Sequence, residues 1–204
     1  MSILKTAFSG LVLMAALIVF GGNKALATPS YCDTVAGNLI QNCGFETGDL
    51  TGWTTMPAAS GSLFGVSGNP NTGSNALFFG AVDSLADQVL QPFAVTPGHT
   101  YMISFAFMTD SATPNLAFVG VFDGTFHLLG GGPDLNIQGW VFPEYFYTAT
   151  NSFAVLVLGG FDVPGFEWFD DVVVKEASAP EPLTLSLFAA GIAGIGALRR
   201  RKSA

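Results

Sequence analysis

From Asn38 to Lys175 the chain reads as short runs of β-branched and aromatic residues broken by Gly, Pro, Asn and Asp, and no segment holds a helical period. Such a pattern favours sheet, because runs bounded by turn residues pair as strands and leave no apolar helical stripe to bury. The spacing predicts strands at Leu63–Val66, Ala76–Ala81, Gln88–Val95, Thr100–Met108, Ala117–Phe122, Phe126–Leu129, Trp140–Thr148, Phe153–Leu158 and Glu167–Lys175. In the clearest alternation, Tyr101, Ile103, Phe105 and Phe107 share one side and Met102, Ser104, Ala106 and Met108 the other. Nineteen phenylalanines supply a thick aromatic core. About nine short strands at regular spacing predict an all-β fold, an antiparallel β-sandwich. Asp123-Gly124 marks a hairpin, and Thr96-Pro97-Gly98 a tight turn before the longest strand. Ser67–Asn75 and Gly130–Pro133 read as loops by composition.

Both ends depart from this pattern. Met1–Ala27 holds Lys5, then the apolar run Ala7–Phe20, then Ala25-Leu26-Ala27, which is the order of a secretory signal peptide. At the other end, Pro180-Glu181-Pro182 precedes sixteen uncharged residues, Leu183–Leu198, and then Arg199-Arg200-Arg201-Lys202. The prolines favour an extended, accessible handle. As a transmembrane helix the run would rise roughly 24 Å, short for a hydrocarbon core of about 30 Å but within reach of snorkelling and local thinning. The basic cluster is a membrane stop that stays cytoplasmic. The expected organisation is a signal peptide helix at 1–27, a β-sandwich at 28–178 and a membrane-seeking tail at 179–204. An exported protein follows, held in the cell envelope membrane or found outside the cell.

With both ends set aside, Lys175 is the one Lys or Arg beside fourteen carboxylates. Neutralising phosphates takes Lys and Arg, so nucleic acid is excluded as a partner. The acidity suits solubility or a divalent cation. Cys32 and Cys43, the only cysteines, reach an oxidising compartment and are expected to form a disulfide, worth about 2–3 kcal/mol for so short a loop.

The tail, with Ala179-Pro180-Glu181-Pro182-Leu183, the apolar run and the Arg-Arg-Arg-Lys end, resembles the PEP-CTERM sorting signal of bacterial extracytoplasmic proteins. That resemblance implies a membrane-embedded exosortase as processing partner. Three further phrases are similar to the carbohydrate-binding-module-like, or galactose-binding-like, jelly rolls. They are Asn38–Trp53 with its Cys43-Gly44-Phe45-Glu46-Thr47-Gly48, Thr96–Phe105, and Phe169-Asp170-Asp171-Val172-Val173-Val174. Cys43 stands where those domains usually carry glycine, which suggests a disulfide clamping the N-terminal segment. The resemblance implies a structural calcium near the paired ends of the domain, with Glu46, Asp170 and Asp171 as its ligands; hydrogen bonding of the same acids to loop amides is the alternative. Calcium takes six to eight oxygens, and carboxylates are the first choice. Asp170 and Asp171 are expected on opposite faces of one strand.

No catalytic residue is assigned. His99 and His127 stand apart, and no metalloprotease, serine-hydrolase or phosphate-loop motif is present. Trp140 and Tyr145, expected on one long strand, are candidates for stacking on a sugar ring. The expected function is a non-enzymatic surface or extracellular matrix protein that binds polysaccharide. The alternatives are an adhesive or structural envelope protein without a sugar site, and a glycoside hydrolase, which would need two carboxyls facing across a cleft.

Overall fold

The computed structural model describes residues 29–177, except 59–60, 81–84 and 111. The expected signal peptide, the Pro180-Glu181-Pro182 motif, the Leu183–Leu198 run expected to span the membrane and the Arg199–Lys202 cluster lie outside the described residues. Among those described, no helix is long and apolar enough to cross a membrane.

One turn of helix, α1 (Tyr31–Thr34), precedes ten strands. They are β1 (Thr54–Met56), β2 (Phe64–Ser67), β3 (Ala76–Phe79), β4 (Asp87–Ala94), β5 (Thr100–Thr109), β6 (Asn115–Phe122), β7 (Phe126–Pro133), β8 (Glu144–Thr148), β9 (Phe153–Asp162) and β10 (Glu167–Glu176). The front sheet has the order β2-β3-β10-β5-β8 and the back sheet β1-β4-β9-β6-β7. Every pairing is antiparallel. The expected all-β sandwich is therefore the fold.

Alternation explains the packing. Tyr101, Ile103, Phe105 and Phe107 of β5 are all buried, as are Val89 and Phe93 of β4, Val119 and Val121 of β6, and Leu156 and Leu158 of β9. Phe169, near the start of β10, meets the rings of Phe79, Phe105 and Phe107 at centroid distances of 5.9, 5.5 and 4.8 Å. Aromatic pairs at such spacing add to the area they bury. The core runs from Cys32 to Val174, and each strand pairs only with strands of this same unit. Residues 29–177 thus close their own core.

The turns fall where the sequence puts them. Gly124 follows Asp123 between β6 and β7 with φ +111°, and Gly98 takes φ +84° before β5. Three expectations change. Thr54–Met56 is a strand that the sequence pattern passes over; three exposed residues have no alternation to reveal them. Gly130–Gly132 belongs to β7 rather than to a loop, because Val119, Phe118 and Ala117 of β6 supply its ladder. The Trp140–Thr148 strand begins only at Glu144; Val141 makes an isolated bridge to Phe107, and Trp140 stands in the β7–β8 connection.

Candidate functional site

The front sheet is the more elaborate layer, and a loop crossing its outer face organises it. Asn71 to Asn75 is tied down by three acids from distant parts of the chain. Asp170 Oδ2 accepts the Asn71 and Thr72 amides at 2.8 and 3.1 Å. Asp171 accepts the Asn71 side-chain amide at 2.8 Å and the Thr72 hydroxyl at 2.7 Å. Glu46 accepts the Ser74 and Asn75 amides at 2.9 and 3.0 Å. Gly73 (φ +72°) lies so close to the Glu46 carboxylate that a Cβ there would collide with it.

Asp170 and Asp171 do not point to opposite faces, contrary to the expectation from strand geometry. Between the pairs Asp170–Ala106 and Val173–Ser104 the register slips, so Asp171 and Val172 together stand opposite Phe105. A bulge of this kind re-aims side chains, and Asp171 takes φ +51° within it. Both carboxyls then serve one loop. The pairing of two buried like charges has a consequence: burial first, and the Asp171 charge second, push Asp170 up to about 7.

The three acids expected to ligate calcium do gather on this loop, but not around one point. Ligands of a single calcium, each about 2.4 Å from the ion, lie within about 5 Å of one another. Among the described residues, the one group of three candidate ligand atoms closer than 4.8 Å is Cys32, Asp33 and Cys43. Its two cysteines are joined as a disulfide, as expected. As they stand, Glu46, Asp170 and Asp171 do not fit one calcium; they hold the loop by accepting N–H and O–H donors.

The disulfide joins this arrangement from the N-terminal side. Cys32 N–H donates to Asp171 at 3.2 Å and Tyr31 N–H to the Thr72 hydroxyl at 2.7 Å. The following segment replaces β3 as the neighbour of β10, through Leu39 N–H to Val174 O at 2.8 Å and Val172 N–H to Cys43 O at 3.0 Å. Trp53 is core, stacked on Phe45 at 5.5 Å.

With the loop fixed, the outer face of the front sheet carries two hollows. One, of about 390 Å³, is lined by Tyr31, Asn71, Thr72, Ser104, Phe142 and Glu144 among others. Phe142 is 67% exposed and Tyr31 58%. Beside them Phe146, opposite Met102 on β8, is 60% exposed. The other hollow, of about 380 Å³, is lined by Ser67, Asn69, Phe78, Phe166 and Trp168. Its rings brace each other, with Phe166 lying 5.6 Å from Phe78 and 6.0 Å from Trp168. Asn69 and Asn71, two residues apart, reach one hollow each. Aromatic faces flanked by amide and hydroxyl groups suit a flat, hydroxylated ligand.

The aromatic residues nominated from sequence lie elsewhere. Tyr145 faces the interior, stacked on Phe105 at 6.2 Å, and borders an apolar cavity of about 210 Å³ between the sheets. Trp140 is half-buried in the β7–β8 connection and borders neither hollow. Sequence reasoning missed Tyr31, Phe142 and Phe146. The alternation of β8 carries aromatics in both phases, and only the pairing with β5 decides which phase faces out.

Each histidine meets one carboxylate at hydrogen-bond distance. His99 meets Glu176 at 2.7 Å, and His127 meets Asp123 at 2.9 Å. Asp123 also accepts from Thr150 and Tyr147, which hold its carboxyl well below the usual range. Burial, then Asp123, pushes Tyr147 up to about 12.

Neither a family model nor a curated protein matches this chain. Solved structures do. TmCBM61, in complex with β-1,4-galactotriose, is similar with a TM-score of 0.57 at 17% identity, over 69% of this chain and 99% of that one. The CBM22-1 xylan-binding domain of Paenibacillus barcinonensis Xyn10C is similar with a TM-score of 0.55 at 18% identity, over 71% of this chain and 98% of that one. A putative sugar binding protein from Bacteroides thetaiotaomicron gives 0.50 at 13% identity, over 69% of this chain and all of that one. The fold is that of the carbohydrate-binding-module jelly rolls.

Proposed function

We propose that this domain is a non-enzymatic polysaccharide-binding module and that the outer face of its front sheet is the binding surface. The observation that carries this is the pair of aromatic hollows, Tyr31/Phe142 and Phe78/Phe166/Trp168, set along one sheet with Asn69, Asn71, Ser104 and Glu144 beside them. The fold shared with modules that bind galactotriose and xylan supports the same class of ligand. Chain polysaccharides of neutral sugars fit best. With Lys175 the one Lys or Arg of the domain, uronate-rich chains would meet like charge and no counter-charge. Hydrolysis is not part of the proposal. Of the two carboxyls in the Tyr31/Phe142 hollow, Glu144 is exposed, while both oxygens of Asp171 are occupied by Asn71 and Thr72.

Native gel electrophoresis of residues 29–177 through β-1,4-galactan, xylan and a uronate polymer tests this. Retardation by a neutral polysaccharide, lost in Phe142→Ala and in Trp168→Ala with the fold intact by circular dichroism, is expected. Unretarded migration in every gel, or aromatic variants that bind like the parent, would leave the adhesive or structural alternative.

Export and sorting complete the proposal. The signal peptide releases the chain across the membrane, the apolar tail retains it, and an exosortase-type enzyme processes it near Pro180-Glu181-Pro182. Intact masses of the protein from membrane and from medium test this step. A full-length C-terminus in both fractions refutes processing.

A further inference from the structure

The back sheet has an outer face unlike the rest of the domain. Its outward positions can be read across the strands from the register. One row is Pro92, Val155, Phe122 and Phe126; the next is Thr54, Leu90, Val157, Gly120 and Leu128. The third is Met56, Gln88, Gly159, Phe118 and Gly131. Across all three rows, only Thr54 and Gln88 are polar and none is charged. The inward positions of the same strands, Val89, Val121, Leu156 and Leu158 among them, are fully buried. Apart from Gln91, the middle of the sheet is therefore apolar on both faces, with Asp87, Asn115 and Asp162 at the strand ends, as sheets are when both faces are covered. Yet Leu128 is 63% exposed, Met56 50%, Phe126 46% and Phe122 43%, and Phe153, paired with Ala94 one row beyond Pro92 and Val155, is 54% exposed.

The rings on this face are close-packed on its backbone. A Cβ at Gly159 would collide with the Phe118 ring and one at Gly120 with the Phe126 ring, so each ring covers a glycine. They meet edge to face at 6.2 Å.

We propose that this face is a self-association surface on which a second copy of the chain packs, back sheet to back sheet, about a two-fold axis. The size fits. The strands of this sheet, three residues long in β1, eight in β4, β6 and β7 and ten in β9, rise about 3.3 Å per residue and lie about 4.8 Å apart, which gives roughly 600 Å² per copy and roughly 1,200 Å² for the pair. That meets the lower bound for a specific interface and stands at the top of what monomers leave exposed. The charge fits too. The domain is strongly acidic, and these rows are where two copies can meet without opposing carboxylates. A two-fold contact needs a self-complementary patch, which an apolar surface without charges can provide. Other occupants fit less well. The rows offer almost no group to bond a sugar hydroxyl and no cation for a lipid headgroup. Both ends of the described chain lie on the front sheet, through Tyr31 to Thr72 and Ala177 to Thr100. Packed this way, the two proposed sugar faces point outward from the dimer.

Sedimentation velocity of residues 29–177 over a wide concentration range decides the matter. The parent is expected to run with the mass of two chains. The double variant Leu128→Glu/Phe153→Glu, with unchanged circular dichroism, is expected to run as one, because each substitution would bury an unpaired charge. Phe142→Glu/Phe146→Glu, on the opposite face, should keep the dimer mass. If the first variant misfolds, Leu128→Ser/Phe153→Ser serves in its place. A parent that stays monomeric at all concentrations, a folded back-face variant that stays dimeric, or a monomeric parent that pellets with phosphatidylcholine vesicles would overturn the proposal.

Discussion

Glu167→Gln is expected to stabilise the domain at neutral pH, by an amount set by pH. Glu167 is fully buried on β10, and among the described residues neither of its oxygens has a hydrogen-bond partner. It points across the interior so closely to Gly160 of β9 that a Cβ there would collide with Oε1. Burial first, and the nearby Asp162 charge second, raise its carboxyl well above the ordinary 4.5. The native state therefore holds the proton. The unfolded chain ionises near 4.5, so above that pH folding takes up a proton, at no more than about 1.4 kcal/mol per pH unit, a ceiling of about 3 kcal/mol at pH 7. The sign follows from the raised value: the contribution is fully favourable below about 4.5 and declines as pH rises. Glutamine has the same shape and no proton to take up. Its unpaired amide adds an offset, but that offset does not change with pH. Urea denaturation of parent and variant at pH 4.5, 5.5 and 7 should show their stability difference growing in favour of Gln, up to a ceiling of about 3 kcal/mol over the range. At about 2–4 °C per kcal/mol for a domain of this size, that ceiling corresponds to about 10 °C in Tm. A difference that is flat with pH, or that turns against Gln as pH rises, would refute a neutral Glu167. It would point instead to an ionised carboxylate with a buried counter-charge.

Other outcomes follow from the same contacts. Gly160→Ala should destabilise by about 1–3 kcal/mol through overpacking, and Glu167→Ala in the same chain should recover part of it; additive losses in the double-mutant cycle would deny the contact. Burial pushes Asp162 up to about 7, as it does Asp170. Both native states hold protons that the unfolded chain has released, so Tm should rise on acidification from pH 8 to pH 5. Because Asp123 is held low, Tm should fall again below about pH 4. A Tm at pH 8 equal to that at pH 5 would contradict the raised pair. Replacing Cys32 and Cys43 by serine should cost about 2–3 kcal/mol on the loop-closure argument and free Tyr31 from Thr72, weakening polysaccharide retardation as well as lowering Tm. A variant that lost stability but bound normally would separate Tyr31 from the site.

How much of this was legible beforehand depends on distance along the chain. Period-two alternation in 100–108 and the turn residues at 96–98 and 123–124 specify strands and hairpins, because those signals are local and rest on the pleat and on backbone φ. Cys32 and Cys43 announced their pairing through compartment and count. The convergence of Glu46, Asp170 and Asp171 on one stretch was legible as an expectation, yet the bulge that turns Asp171 beside Asp170 was not. A register slip belongs to the pairing of β10 with β5 and leaves no mark on either strand alone. The same limit hid Phe142 and Phe146. A strand with aromatics in both phases does not say which face is core until its neighbour is known, and Tyr145 and Phe146 exchange roles on that one fact. Glu167 shows it most sharply: an acid at the start of a strand reads as a solvent-facing end, and only the opposing sheet, with Gly160 leaving room for it, made it part of the core. The sequence by itself determined strand, turn, disulfide and the acidic, cation-poor character of the domain, since these arise from neighbours in the chain. The tertiary structure alone decided which aromatic face is left open and which is closed, because each outward row is assembled from strands that never adjoin in sequence.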